Sequence, residues 1–177
     1  MNRQNTKRLY IRKPCEDDVT PIYTIQNTPY VLRYNGLPKM NHAQIHTMLM
    51  NKDEPVYILE IKETQTVIGV VFVERDTLRY GIKACSLSCY LDEAYAHQGY
   101  MKEAMSLVIK HKFYKDEMDV ISARVLKENT ASMHLVESLG FQKEGEIRKC
   151  LKGYQGIVYD DMIYSILREE YISKKHP

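Results

Sequence analysis

The chain has 177 residues, with 25 Lys and Arg against 23 Asp and Glu and a formal net charge of +2. With 44% hydrophobic and 27% charged residues and a mean hydropathy of -0.43, it reads as one globular domain and not as a disordered or fibrous chain. The near-balance of charge excludes a nucleic-acid footprint spread over the whole surface, so any anion site has to be local.

The longest clean apolar run, Val67 to Val73, falls far short of the about 18 residues of a spanning helix. Asn2, Arg3, Gln4 and Asn5 provide no apolar signal core, so a cytoplasmic protein is expected. In chain order, Arg8 to Arg12 alternates and predicts a strand, and Pro14 to Asp18 turns into a helix carrying Ile22 and Ile25. Pro29 to Pro38 holds two prolines, Gly36, Tyr30 and Tyr34 and predicts a loop beside a cleft, followed by a helix near Ala43 to Met50. Val56 to Ile61 and Val67 to Glu74 are β-rich runs around a polar turn at Glu63 to Thr66, an antiparallel hairpin. Ala84 to Leu91 continues as a strand, and Gly99 to Phe113 places Met101, Met105, Val108 and Ile109 at helical spacing. Then follow a strand at Val120 to Leu126, a helix from Asn129 to Leu139 ended by Gly140, and strands at Phe141 to Ile147 and Tyr159 to Leu167. No internal repeat or linker interrupts this order, so the expected fold is mixed α/β (α+β), a single domain over residues 1–177.

Four cysteines, Cys15, Cys85, Cys89 and Cys150, form no C-x-x-C pair and read as reduced thiols. Cys85 and Cys89 share a strand face and His42 and His46 a helix face, but neither pair has the further ligands zinc requires, so no metal is expected.

Two segments carry chemistry. Tyr90 to Ala104 passes from a strand through a loop containing Gly99 into a helix. The first turn of a helix leaves N–H groups unpaired at the positive end of its dipole, where a phosphate is met by several donors at once. Gly99 alone also reads as nothing more than a turn-former. Lys127 to Phe141 opens on Asn129, well suited to cap a helix, which by itself would explain an Asn there. Lys110, Lys112 and Lys115 read as a solvated helix face or a contact for a phosphate.

The succession HQGYMKEA, KENTASMHLVESLGFQKEGEIRK and YSILREEY, preceded by TKRLYIRKPCEDDV, resembles the GNAT superfamily of acetyl-CoA-dependent N-acetyltransferases. Within it, the chain looks like the branch typified by the ribosomal-protein N-terminal acetyltransferases RimJ and RimL. The resemblance implies a mostly antiparallel central sheet, splayed between its middle strands and flanked by helices on both faces. Residues 8–92 would supply the acceptor side and residues 93–171 the acetyl-CoA-binding core. It implies a diphosphate held by His97, Gln98, Gly99, Tyr100, Met101 and Lys102, with Ala96 and Met101 departing from the family pattern. Tyr90 and Leu91 would part from the strand ending at Leu126 to admit the pantetheine arm. Asn129 matches a residue that contacts the coenzyme, and Ser132 one proposed to protonate the leaving thiolate.

A backbone N–H between Ser88 and Leu91 would stabilise the developing oxyanion. Tyr30, Tyr34 and the Gly153 to Gly156 turn are expected at the acceptor pocket, as is Asp160. Ser86, Leu151 and Val136 stand where relatives carry acid or Tyr residues, which leaves a water relayed to Asp92, Glu93 or Asp160 as the base. The implied reaction is direct attack on acetyl-CoA by a primary amine, of a protein or peptide N-terminus first, of a polyamine or antibiotic as the alternative. A coenzyme-binding sensor without useful turnover is the reading from another class. No membrane or nucleic-acid partner is expected, and a homodimer is compatible with the pattern.

Overall fold

The computed structural model describes residues 3–36 and 38–173; Leu37, inside the predicted Pro29 to Pro38 loop, lies outside them. The strands are β1 (Gln4–Asn5), β2 (Leu9–Arg12), β3 (Val56–Ile61), β4 (Val67–Arg75), β5 (Ala84–Leu91), β6 (Val120–Leu126), β7 (Gln142–Lys152) and β8 (Val158–Leu167). They form one sheet in the order β1-β2-β3-β4-β5-β6-β8-β7. Every neighbouring pair is antiparallel except β5 with β6.

The helices are α1 (Val19–Gln26), α2 (Pro29–Leu32), α3 (His42–Leu49), α4 (Tyr100–Tyr114), α5 (Thr130–Ser138) and α6 (Arg168–Ser173). Alternation along the strands sends side chains to two cores. Ile22, Ile25, Val31, Ile45 and Leu49 from the first three helices pack on Val56, Ile58 and Val70. On the other face Ala104, Met105, Val108 and Phe113 of α4 pack on Val71, Leu87, Ile121 and Tyr164, joined by Val136 of α5 and Tyr171 of α6. The predicted sheet with helices on both faces is what the chain forms.

Arg12 fastens the N-terminal part of the sheet. Its guanidinium donates to Asp18 at 2.7 and 2.8 Å and to Glu60 at 2.6 Å, and Asp18 also accepts from the Cys15 N–H at 2.7 Å. Burial pushes the Asp18 carboxyl up, but the Arg12 and Cys15 donors outweigh it and hold the group below the usual carboxylate range.

Besides the unexpected two-residue β1, the structure departs from the sequence expectations in three places. Part of the predicted Pro29 to Pro38 loop is helix α2, because Thr28 accepts the Val31 N–H at 3.3 Å and Pro29 occupies the first turn, where its missing N–H costs nothing. The strand expected at Phe141 to Ile147 runs on to Lys152, resuming its pairing at Leu151 opposite Tyr159 after a bulge. After β8 the chain turns into α6, where the Glu170 carboxylate caps the Leu167 N–H at 3.0 Å and Tyr171 enters the core. Among the described residues no helix is long and apolar enough to cross a membrane.

Candidate active site

Strand β5 is the hinge of the site. It pairs with β6 only at Ala84, Cys85 and Ser86, opposite Val120, Ile121 and Ser122. Both strands run on, β5 to Leu91 and β6 to Leu126, with no pairing between them. Backbone donors and acceptors are thus left facing a gap in mid-sheet, where unpaired groups are costly unless something occupies the space. A cavity of about 890 Å³ follows this gap. Its lining includes Met105 and Leu135 from one side of the sheet and Val31 and Met48 from the other, so the opening passes through the sheet.

At one end of the gap stands the N-terminus of α4. Gly99 caps it with φ 80°, a left-handed conformation a glycine adopts without strain, and His97 two residues earlier has φ 58°. Among the described residues, nothing accepts the N–H groups of Tyr100, Met101 and Lys102. The loop is held from behind by Arg8. Its guanidinium donates to Glu103 at 2.7 Å and to the Gln98 carbonyl at 3.0 Å, and it lies 4.0 Å over the Tyr100 ring. Glu103 also accepts from the Arg8 N–H at 2.7 Å and from the Thr6 hydroxyl. Its carboxyl is pushed up by burial, but the Thr6 and Arg8 hydrogen bonds prevail and lower it, so the one acidic side chain in the first turn of α4 is turned away and tied down.

The predicted residues are largely brought together. Tyr30, Tyr34, Tyr90, Leu91, His97, Gly99, Tyr100, Met101, Lys102, Asn129 and Ser132 all line the cavity. Asn129 also caps α5, its carbonyl oxygen accepting the Ser132 N–H at 3.1 Å, so the capping role and the cavity position hold together. The Tyr90 hydroxyl is buried in this lining without a hydrogen-bond partner, and burial pushes its pKa up, keeping the phenol protonated.

Other residues fall elsewhere. Gln98 turns its amide back onto the Ala94 carbonyl at 2.9 Å and is not part of the lining. Asp160 accepts the Lys149 N–H at 2.7 Å and lies 3.7 Å from the Lys127 ammonium, so its carboxylate serves the bulge in β7. Asp92 caps the turn before α4 by accepting the Ala94 N–H at 3.0 Å. None of Asp92, Glu93, Asp160 or the Gly153 to Gly156 turn lines the cavity. Lys112, expected on a solvated face, is 4% exposed and pairs with Asp116 at 2.7 Å. Among the described residues no three His, Cys, Asp or Glu side chains stand together as a metal site, and all four cysteines are free.

The charged groups on the acceptor side, unlike Tyr30 and Tyr34, carry no motif signal in the sequence. Ser86, Ser88 and Tyr90 stand opposite Glu74, Phe72 and Val70 in the β4–β5 ladder, so these six side chains share one face. Glu74 lines the cavity together with Glu54, Arg33, Arg124 and Asp161. Arg124 is spoken for, donating to Asp161 at 2.6 Å. Alternation from Val70 through Phe72 could have assigned Glu74 to this face, but only the register shows that the face opens on the gap. Free donors at a helix N-terminus beside an unpaired strand edge suit a ligand that joins a diphosphate to an extended amide-bearing arm.

Residues 8–142 match the model of the acetyltransferase (GNAT) domain family. The uncharacterized N-acetyltransferase YoaA of Bacillus subtilis is 26% identical over 172 residues, covering 92% of this chain and 95% of that protein. Among solved structures, the ribosomal-protein-S5-alanine acetyltransferase of Vibrio fischeri superposes with a TM-score of 0.81 at 22% identity, over 97% of this chain and 99% of the other. The spermidine N-acetyltransferase of Vibrio cholerae, in complex with CoA and spermine, also gives 0.81, at 18% identity over 93% of this chain and 98% of the other.

Proposed function

The chain belongs to the GNAT acetyltransferase family and is an acetyl-CoA-dependent N-acetyltransferase, and from that premise we propose that its acceptor is the α-amine of a protein or peptide, attacked directly in a ternary complex. This reading sets the protein beside the RimJ and RimL branch. The observation that carries it is the charge of the cavity's acceptor side: with Lys102 at the diphosphate end, Glu54, Glu74 and Asp161 stand against Arg33 and Arg124, one carboxylate in excess, which suits a single ammonium. A polycationic amine calls for a larger excess of carboxylates, whereas a peptide brings one ammonium followed by neutral amides. The ammonium itself favours the same acceptor, since an α-amine loses its proton near about 7.7–8.0 and a lysine-like amine near about 10.4.

Acetyl-CoA supplies the activated acetyl group as a thioester. The N–H groups of Tyr100, Met101 and Lys102 would hold its diphosphate, with Gly99 allowing close approach and the helix dipole favouring the charge. The free edge of β5 from Ser88 to Leu91 would take the arm as an added strand and present an N–H to the carbonyl oxygen as negative charge develops there. Asn129 and Ser132 close the opposite wall, where the Ser132 hydroxyl would hand a proton to the departing sulfur. The acceptor would enter between Tyr30 and Tyr34 on the far face.

The test is a panel of N-terminal peptides, spermidine and an aminoglycoside, each mixed with purified protein and acetyl-CoA while free thiol is followed. Peptides should give the highest kcat/KM, with mass spectrometry placing the acetyl on the α-nitrogen. Faster turnover of spermidine, or acetylation confined to lysine side chains, would overturn the acceptor assignment. Coenzyme binding with no thiol released by any amine would support a sensor instead.

A further inference from the structure

Buried carboxylates in this protein are paired. Asp18 and Glu60 share Arg12, Asp76 holds Arg79 at 3.0 Å, Glu103 holds Arg8 at 2.7 Å, and Asp161 holds Arg124 at 2.5 Å. Such pairing is what desolvation demands of a charge removed from water. Of the half-buried carboxylates without an ion pair among the described residues, Asp92 and Glu170 are held by backbone N–H groups, whereas Glu74 on β4 is part of the cavity wall and has the Ser88 hydroxyl as its hydrogen-bond partner. Its surroundings leave it available. Ser86 is its cross-strand partner, Ser88 lies on the same face, Phe72 precedes it on that face, and Glu54 and Arg124 are the charged groups facing it from the bend before β3 and from β6.

We infer that Glu74 is the general base of the acetyl transfer, taking the proton that the acceptor ammonium must lose before its nitrogen can attack. The inference rests on the acetyl-transfer activity stated above and holds for whichever amine is the acceptor. One proton passes from R–NH₃⁺ to the Glu74 carboxylate. The freed lone pair forms the C–N bond to the acetyl carbon, the C–S bond breaks with its electron pair going to sulfur, and the second amine proton ends on that sulfur as the thiol. Glu74 then releases its proton to water through the cavity, so the sum is ammonium plus thioester giving amide, thiol and one proton.

The electrostatics suit the task. Burial lifts the Glu74 carboxyl above the usual range and Glu54 lifts it further, while Ser88 and Arg124 offset part of the rise. A carboxylate of raised pKa accepts a proton more readily than an exposed glutamate.

The experiment compares wild type with Glu74→Gln, Glu74→Asp and Glu54→Gln across pH, on the best amine of the panel, with calorimetry of acetyl-CoA binding alongside. Glu74→Gln should lower kcat/KM at pH 7 by roughly 10²- to 10⁴-fold, the usual contribution of a positioned base. The acidic limb set by the Glu74 carboxyl should give way to one set by the amine itself, so the deficit should shrink as rising pH deprotonates the amine unaided. Coenzyme affinity should stay within about threefold of wild type, because the N–H cradle is untouched. Glu74→Asp should restore part of the rate together with an acidic limb, and Glu54→Gln should move that limb to lower pH. A Glu74→Gln enzyme that keeps the wild-type rate, or that loses the same factor at every pH, would overturn the inference. A best acceptor that proves to be a polyamine overturns the peptide assignment and leaves this comparison to be read on that amine.

Discussion

Strand β5 has two edges that are used in opposite ways. Toward β4 it is laddered over seven residue pairs, from Gly69 opposite Leu91 to Arg75 opposite Cys85; toward β6 it is paired over three and then released. The same residues, Ser88 to Leu91, therefore serve as fixed structure on one side and as free donors and acceptors on the other. An unpaired strand edge is ordinarily a liability that proteins cover or blunt. Here the laddered edge holds the open one in place, so stability and function are separable by choosing which edge to disturb.

The largest effect should come from loosening the fastened half without touching the gap. Arg12→Met leaves Asp18, 1% exposed, and Glu60, 8% exposed, without their shared cation. Removing one partner of a buried ion pair costs about 3–5 kcal/mol, measurable by urea denaturation at pH 7. Coenzyme affinity per folded molecule should be unchanged. The pH dependence sharpens the point. The folded Asp18 carboxyl is held below its unfolded value, near about 3.9, so its contribution is complete above that value and is lost as pH falls through the lower folded one. In Arg12→Met that acid-side slope should flatten or reverse.

Next in size is Gly69→Ala, which strikes both edges at once. A Cβ there would lie 2.4 Å from the Tyr90 carbonyl oxygen and 3.0 Å from the Leu91 Cα, so the end of β5 would have to move away from β4 and into the gap. Overpacking of this kind costs about 1–3 kcal/mol. Stability and acetyl-CoA affinity should fall together, which calorimetry and denaturation on the same sample would show. If affinity survives while stability falls, the gap is not where the coenzyme arm lies.

The smallest effect belongs to the open side alone. Asn129→Ala removes the cap of α5 and should cost about 1 kcal/mol of stability. If Asn129 also meets the coenzyme, the Michaelis constant for acetyl-CoA should rise more than the lost cap explains, whereas Asn129→Ser, which still caps, should recover stability but not affinity.

The elements built on strong local patterns were legible in the sequence. Val56 to Ile61 and Val120 to Leu126 are strands with the predicted ends, because β-branched and aliphatic runs bounded by polar turns leave little choice. Helix α4 was readable for the same reason, its apolar stripe being sustained over four turns. Helix α6 was missed because a six-residue segment carries too few turns to show a period, and its cap, Glu170, lies inside the helix rather than ahead of it. At the site, the loop around Gly99 and the cap at Asn129 could be found, since each is a local signature. Glu74 could not. It ends an apolar run, where a charged residue ordinarily marks the return to solvent, and its meaning depends on a ladder that sets it opposite Ser86 and on a gap one strand further on. The resemblance points to an acid at the position of Ser86, and the local sequence to Asp92, Glu93 and Asp160. The carboxylate proposed as the base is the one across the ladder from Ser86.

In the proposed binding mode, the grip of Arg8 on Glu103 and on the Gln98 carbonyl gives the segment around Arg8 a stake in cofactor recognition. Trimming past Arg8, by a protease or by choice of expression boundaries, would set a carboxylate loose at the mouth of the diphosphate cradle and slacken the loop that forms it. A shortened enzyme that demands more acetyl-CoA would then have lost a brace, with the proposed coenzyme contacts still in place.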